Sequence, residues 1–248
     1  MKQRKDINYK EYYNNRAKSE MKNEKFRYLI SSWKAKFIND NFLSCMNDIN
    51  TVVELWCWEW HVIWNIKWNY TKYWIDISDV FLEYASKKYK NTKFINNDIT
   101  KWKFLNSIEP DLIIMADFLE HIENYKEILD LTLNVSKHVL IKTPIEKSLF
   151  HWVVRKLWHT RAIPWPTHQN GHLHIFSLND RKKILNGHKI EKIMIQNLSL
   201  YEKYPDFKAM SLLNKIFIYF EYFVLRISKS LHMKIFWGTY YILVKGRE

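Results

Sequence analysis

The sequence predicts an α/β fold, a three-layer sandwich around a mostly parallel sheet. Three observations carry that expectation. From residue 51 onward, short apolar runs alternate with helical patterns, the signature of βαβ units. The chain has 248 residues, 47% of them hydrophobic, enough for a sizeable core in the single-domain range. It shows no internal repeat, no low-complexity linker and no clear domain boundary.

Taken in order, residues 1–24 are polar and charged, with Tyr9, Tyr12 and Tyr13, and read as a surface helix. Residues 25–46 place apolar side chains at helical spacing and read as an amphipathic helix. Residues 1–49 are therefore expected to be a helical extension, and residues 50–248 the main domain. TVVEL is a β-rich run, followed by YWIDI and by a helix from Ser78 or Asp79 to about Tyr89. KFINND and DLIIMA follow, then a helix from about Glu120 to Ser136, then HVLIKTP. Residues 145–172 are irregular, contain Pro164 and Pro166, and are too long for a plain connector, so they read as a lid or substrate-side insertion. Ser177 to Asp180 resembles a capping box, and Gly187 sits where a helix would stop. KIEKIMIQ is a further strand, residues 205–230 a strongly apolar helix, and TYYILVKG the last strand.

Composition narrows the function classes. Two cysteines, Cys45 and Cys57, cannot build a disulfide framework or a cysteine zinc site, and they fit a reducing compartment. The opening MKQRKD leads into no apolar run, which argues against a signal peptide, and no stretch of about 18 uncharged apolar residues argues for a membrane span. A cytoplasmic location is the expectation. The net charge of +13 is compatible with anionic partners. It is built from 31 lysines and only 8 arginines in a chain rich in Ile and Asn, which points to compositional bias before nucleic-acid readout. Nucleic acid is therefore not an expected partner.

One ratio is abnormal. An average share of about 7% would give roughly 17 glycines; the chain has 4, and it has 12 tryptophans. The two counts together approach the expected glycine number, as if tryptophan stood where glycine belongs. Residues 51–79 show where: TVVELWCWEWHVIWNIKWNYTKYWIDISD. With glycine in place of Trp56, Trp58, Trp60, Trp64, Trp68 and Trp74, this segment resembles the cofactor loop of class I S-adenosylmethionine-dependent methyltransferases. That loop reads E/D-x-G-x-G-x-G after the first strand. Later landmarks match in order: Asp76 ending the second strand, Asp98 in NNDIT, and DLIIMADFLEHIENYKEIL. The last resembles the fourth strand and loop of the small-molecule branch, which includes the ubiquinone-biosynthesis O-methyltransferases. HLHIFSLNDRKKILNGHKIEKI resembles that branch's late helix-and-strand unit. The resemblance covers roughly residues 50–200, with weaker support at 239–245.

The resemblance implies seven strands with the last antiparallel, S-adenosylmethionine as cofactor, and methyl transfer to a small-molecule acceptor. It assigns the cofactor to Glu54, Trp56, Cys57, Trp58 and Trp60, to Asp76 with Ile77, to Asp98 with Ile99, and to Asp117. Asp76 would meet the ribose hydroxyls and Asp98 the adenine amino group. Elementary chemistry points the same way. A loop that brings backbone N–H groups onto a ligand needs residues without a Cβ, and an acid about 20 residues later suits a ribose diol.

The written residues depart from the family at these positions. Indoles where backbone should be bare would overpack the site by about 1–3 kcal/mol each. Two readings stand: a natural methyltransferase-like protein whose loop is plugged by Trp56, Trp58 and Trp60, and is non-catalytic; or a protein with glycine there, as from a gene that reads UGA as glycine or from deliberate replacement. Trp165 and Trp237 are candidates for the same substitution.

Other residues carry open readings. In the D-x-x-E-H of Asp117, Glu120 and His121, the pair Glu120 and His121 can merely start a helix. His121 can equally be a general base for an acceptor hydroxyl, which favours O-methylation. The cluster could also hold a divalent cation, but no metal is assigned. His168, His172 and His174 are expected on the substrate side rather than as zinc ligands. No N-P-P-Y or D-P-P-Y tetrad follows the fourth strand, where nucleic-acid N-methyltransferases carry one; this chain has ADFL. The helix at 212–230 either packs on the sheet or touches a bilayer, and a lipid-linked acceptor would suit both.

Overall fold

The structure is a computed structural model. It describes residues 8–21, 24–55, 62–67, 69–145, 149, 173–174, 176–177, 180, 184–185, 187–196, 212–236 and 238–247. Two helices, α1 (Tyr9–Glu20) and α2 (Glu24–Asn41), precede β1 (Thr51–Leu55). Then come β2 (Thr71–Asp76), α3 (Asp79–Lys88), β3 (Thr92–Asn96), β4 (Leu112–Ala116), α4 (Tyr125–Val135) and β5 (His138–Ile145). The remaining elements are β6 (Ile190–Gln196), α5 (Leu212–Ile227), α6 (Lys229–Ile235) and β7 (Gly238–Lys245).

The strands form one sheet in the order β3-β2-β1-β4-β5-β7-β6. The first five pair in parallel, and β7 inserts antiparallel between β5 and β6. Seven strands with an antiparallel last one is the expected arrangement. Successive side chains of a strand point to opposite faces, and the core divides accordingly. Val53, Leu55, Ile113, Met115, Val139 and Ile141 meet Ile128, Leu129 and Leu133 of α4 on one face. Val52, Leu112, Ile114, Leu140 and Tyr241 meet Ala35, Ile38 and Phe42, from α2 and the turn after it, on the other. Helix, sheet and helix make the three layers. The helices of residues 1–49 thus pack into the core, because the apolar stripe of α2 has the bare face of β1 and β4 to cover.

The strand entrances are tied together by Asp111. Its Oδ2 accepts the backbone N–H groups of Asn50 (2.8 Å) and Thr51 (2.9 Å), and its Oδ1 pairs with Lys137 at 2.7 Å. Burial pushes this carboxyl up, but Lys137 and the two amides outweigh it and hold it below its ordinary value.

Three expected helices need correction. The helix expected from about Glu120 begins at Tyr125; Leu119–His121 is a single 3₁₀ turn and Ile122 is extended. Helical periodicity in LEHIENYKEIL does not reveal that break. The helix expected over 25–46 ends at Asn41, and the apolar helix expected to reach 230 ends at Ile227, where Ser228 caps the separate helix α6. After β3 the chain forms a 3₁₀ segment over Ile99–Ser107. Ser78 caps α3 by accepting the Phe81 N–H (3.3 Å), and Asp180 accepts both the amide and the hydroxyl of Ser177, as the capping-box pattern implies. Gly187 has φ +88°, open to glycine. Residues 146–148, 150–172 and 197–211, which include most of the expected lid and the start of the apolar helix, lie outside the described residues.

Gly246, just after β7, passes directly over the end of α4. A Cβ there would sit 2.1 Å from the Ser136 carbonyl oxygen and 2.7 Å from that of Leu133. Both obstacles are backbone. Gly246→Ala is expected to cost about 1–3 kcal/mol and to lower Tm by several degrees in a thermal melt.

Candidate cofactor site

In a sheet of this order the strand sequence reverses direction at β1 and β4, and the crevice outside the carboxyl ends of the strands is where ligands bind. A cavity of about 470 Å³ opens there. Its wall includes Asp76 and Ile77 from the end of β2, Asn97, Asp98 and Ile99 after β3, and Phe118 and His121 after β4. Tyr13 of α1 and Ile128 and Leu131 of α4 close it.

The local chemistry explains each position. Asp76 is the last residue of β2 and is buried. Its Oδ1 accepts the Ser78 amide at 2.7 Å, which orients the carboxylate. Ser78 in turn donates its hydroxyl to Asn14 Oδ1 at 2.7 Å, so α1 is fastened to the turn that carries Asp76. The Asn97 amide donates to the Asp76 carbonyl at 3.1 Å and holds the β3 turn alongside. His121 ends the 3₁₀ turn and is buried. Five expected residues, Asp76, Ile77, Asp98, Ile99 and His121, therefore share one cavity.

Glu54 lies fully buried near the end of β1, and its Oε2 accepts the Ile63 amide at 2.8 Å. That bond ties the end of β1 to the turn at Ile63. Trp56, Cys57, Trp58 and Trp60, with Trp68, Trp165 and Trp237, lie outside the described residues, as do His168 and His172. His174 is described. Its Nε2 lies 2.9 Å from the Ile122 carbonyl, and its amide donates to the Glu120 carbonyl at 3.0 Å. It buttresses the turn that carries His121 and is not among the cavity residues.

Asp117 takes a different place from His121. It adopts φ 52°, a region that Asp tolerates, and its carboxylate pairs with Lys34 of α2 (2.7 Å) and with Lys142 of β5. It is absent from the cavity wall. Burial pushes the Asp117 carboxyl up, but the two ammonium groups outweigh it and hold it well below the carboxylate range. Burial pushes Lys34 down to about 7 against the pull of Asp117, because two ammonium groups share one carboxylate. Burial and the Asp117 charge raise the Tyr241 hydroxyl, which donates to Gln196 Oε1 at 2.6 Å. Among the described residues no three His, Cys, Asp or Glu side chains are grouped as metal ligands.

Sequence reasoning missed Tyr13, Lys34 and Lys142. Lys142 carried a signal, a charge inside the apolar run HVLIKTP, which is rarely buried without a partner. Nothing in residues 1–41 marks Tyr13 or Lys34 among their neighbours.

No protein-family model and no curated protein matches this chain. Solved structures do. A magnesium protoporphyrin IX methyltransferase from Synechocystis PCC 6803, with SAH bound, is 12% identical at a TM-score of 0.61, covering 96% of this chain and 98% of that one. A SAM-dependent methyltransferase from Archaeoglobus fulgidus is 15% identical at 0.53, covering 87% and 94%. The plantazolicin methyltransferase BpumL, in complex with SAH, is 15% identical at 0.55, covering 94% and 90%. The chain shares their fold.

The buried triad has measurable consequences. Asp117→Asn leaves two ammonium groups facing each other and is expected to cost about 3 kcal/mol, the lower end for a broken buried pair, since Asp117 keeps 16% of its side chain exposed. Unfolded, Lys34 holds its proton up to its ordinary 10.5; folded, it releases it at about 7. Stability should therefore rise with pH across that interval. In Lys34→Met the rise should flatten, as chemical denaturation at pH 7 and pH 9.5 would read.

Proposed function

We propose that this chain transfers a methyl group from S-adenosylmethionine to a small-molecule acceptor, at an oxygen. The observation that carries the reading is a cavity at the strand ends that brings Asp76, Asp98 and His121 together on this fold. The residues fit the cofactor. Asp76, its carboxylate oriented by the Ser78 amide, suits a ribose diol. Asp98 suits the exocyclic amine of adenine, and Ile77, Ile99 and Phe118 offer the apolar surface that a purine requires. Glu54, bonded to the Ile63 amide, would hold the β1 loop near the methionine end.

When bound, the cofactor supplies an electrophilic methyl carbon on a sulfonium. The protein then has to position the acceptor, exclude water and take up one proton. His121 is the group for that proton, being buried, on the cavity wall, and an imidazole. Cys57 has no part in this, because transfer from a sulfonium needs no enzyme nucleophile. A lipid-linked acceptor is compatible with the site.

The tryptophans decide whether the written chain performs this reaction. Trp74 is 1% exposed in the middle of β2, packed among Ala17, Phe81, Ala85 and Tyr89, and its indole N–H has no partner among the described residues. A buried indole usually finds one. Trp64 lies 3.9 Å from Tyr89 between ring centroids, inside the separation of about 4.5–7 Å that aromatic pairs prefer. These strains favour glycine as the native residue at 64 and 74, and by extension at 56, 58, 60 and 68. Tryptophan retained there in the living protein would favour the plugged, non-catalytic reading instead.

Two measurements check this. Peptide masses from the native organism should carry glycine at 56, 58, 60, 64, 68 and 74; tryptophan at those positions contradicts the assignment. In a protein with glycine at all six, ultraviolet cross-linking of radiolabelled S-adenosylmethionine should fall at least about tenfold in Asp76→Asn, the scale of a lost charge-assisted hydrogen bond, and persist in His121→Ala. Equal labelling of Asp76→Asn would remove the diol assignment.

A further inference from the structure

α5 presents its apolar side chains outward. Leu212, Ile216, Tyr219, Phe220, Phe223 and Ile227 are 53–73% exposed. They recur every three or four residues, so they form one stripe along the helix. The opposite side buries Val224 and Glu221. Glu221 is the only acid in residues 212–236, and it is turned inward, with its Oε1 3.1 Å from His232 Nε2 of α6. The remaining charges on the two helices are cations, of which Arg226 and Lys234 are exposed. A solvent-facing helix normally has the reverse distribution, acids and lysines out and aromatics in.

We propose that α5 is an interfacial anchor that lies in the plane of an anionic lipid bilayer. Three features select this occupant. The stripe is aromatic and aliphatic and bordered by cations, with its acid withdrawn from the surface, which complements an anionic leaflet. The whole chain carries +13, so long-range attraction has the same sign. The described part of α5, 16 residues or about 24 Å, is shorter than a hydrocarbon core of about 30 Å, and no described helix is long and apolar enough to cross one. A one-sided apolar stripe suits a helix lying flat in the interface. This anchor does not rest on the methyl-transfer reading, and vesicle binding can be read without cofactor.

The test is co-sedimentation of the full chain with two kinds of vesicle, pure phosphatidylcholine and equal parts phosphatidylcholine and phosphatidylglycerol. Binding to the anionic vesicles only, weakened by added salt, is expected. Phe220→Ser with Phe223→Ser should abolish it while the circular-dichroism melt drops by only a few degrees, because both rings are more than half exposed and Phe220 loses one edge contact with Phe236. Arg226→Glu with Lys234→Glu should lower the affinity by at least about tenfold. No binding by the parent chain, or equal binding by the Phe220/Phe223 double variant, would overturn the proposal. So would a concentration-dependent dimer that the same double variant dissolves, since a second copy would then own the stripe.

Discussion

The reversal of strand order at β1 governs where everything else can lie. β1 is flanked by β2 and β4, both parallel to it, so the carboxyl ends of all three open on one edge of the sheet. Any loop leaving β1 must turn away there, and the turns after β2, β3 and β4 must face one another across the gap. Asp76, Asp98 and His121, 45 residues apart along the chain, share a cavity for that reason. A buried hydrogen bond from the Ile63 amide to Glu54 ties the chain at Ile63 to the end of β1. The sheet therefore positions the site, and the site residues need only short turns to reach it.

Much of this was legible in the residues. The five parallel strands announced themselves as short apolar runs, and the ends of YWIDI and NNDIT carried the two acids that line the cavity. Polar punctuation was equally readable, with Ser78, the Ser177–Asp180 pair and Gly187 doing what their chemistry suggests. The break between His121 and Tyr125 was not readable, because a 3₁₀ turn followed by a helix preserves the apolar spacing of a longer helix. The partners of Asp117 were hidden for a different reason. Lys34 and Lys142 come from elements far away in sequence, and only the packing of α2 on β4 and β5 brings them to one carboxylate. That triad ties the first helices to the sheet, so residues 1–49 are part of the body that shapes the site, with Tyr13 on its wall.

The tryptophans set local packing against the ordered motif. A glycine-poor, tryptophan-rich chain would ordinarily be expected to fill its core with rings. Here two of the described rings are poorly served, Trp74 with a buried N–H that has no partner among the described residues and Trp64 crowded against Tyr89. The glycines that do stand in the chain at 187 and 246 occupy places that reject a side chain, one by a positive φ and one by contact with backbone. At 187 and 246 glycine stands where the fold demands it, and the proposed cofactor loop after β1 would make the same demand.

Calorimetric titration of S-adenosylhomocysteine tests this account most directly. It should be run on the chain as written and on a version with glycine at 56, 58, 60, 64, 68 and 74. Saturable one-to-one binding by the glycine version, absent from the written chain, is the predicted result. Two folded proteins that both fail to bind would contradict the cofactor pocket and leave the fold without the chemistry assigned to it.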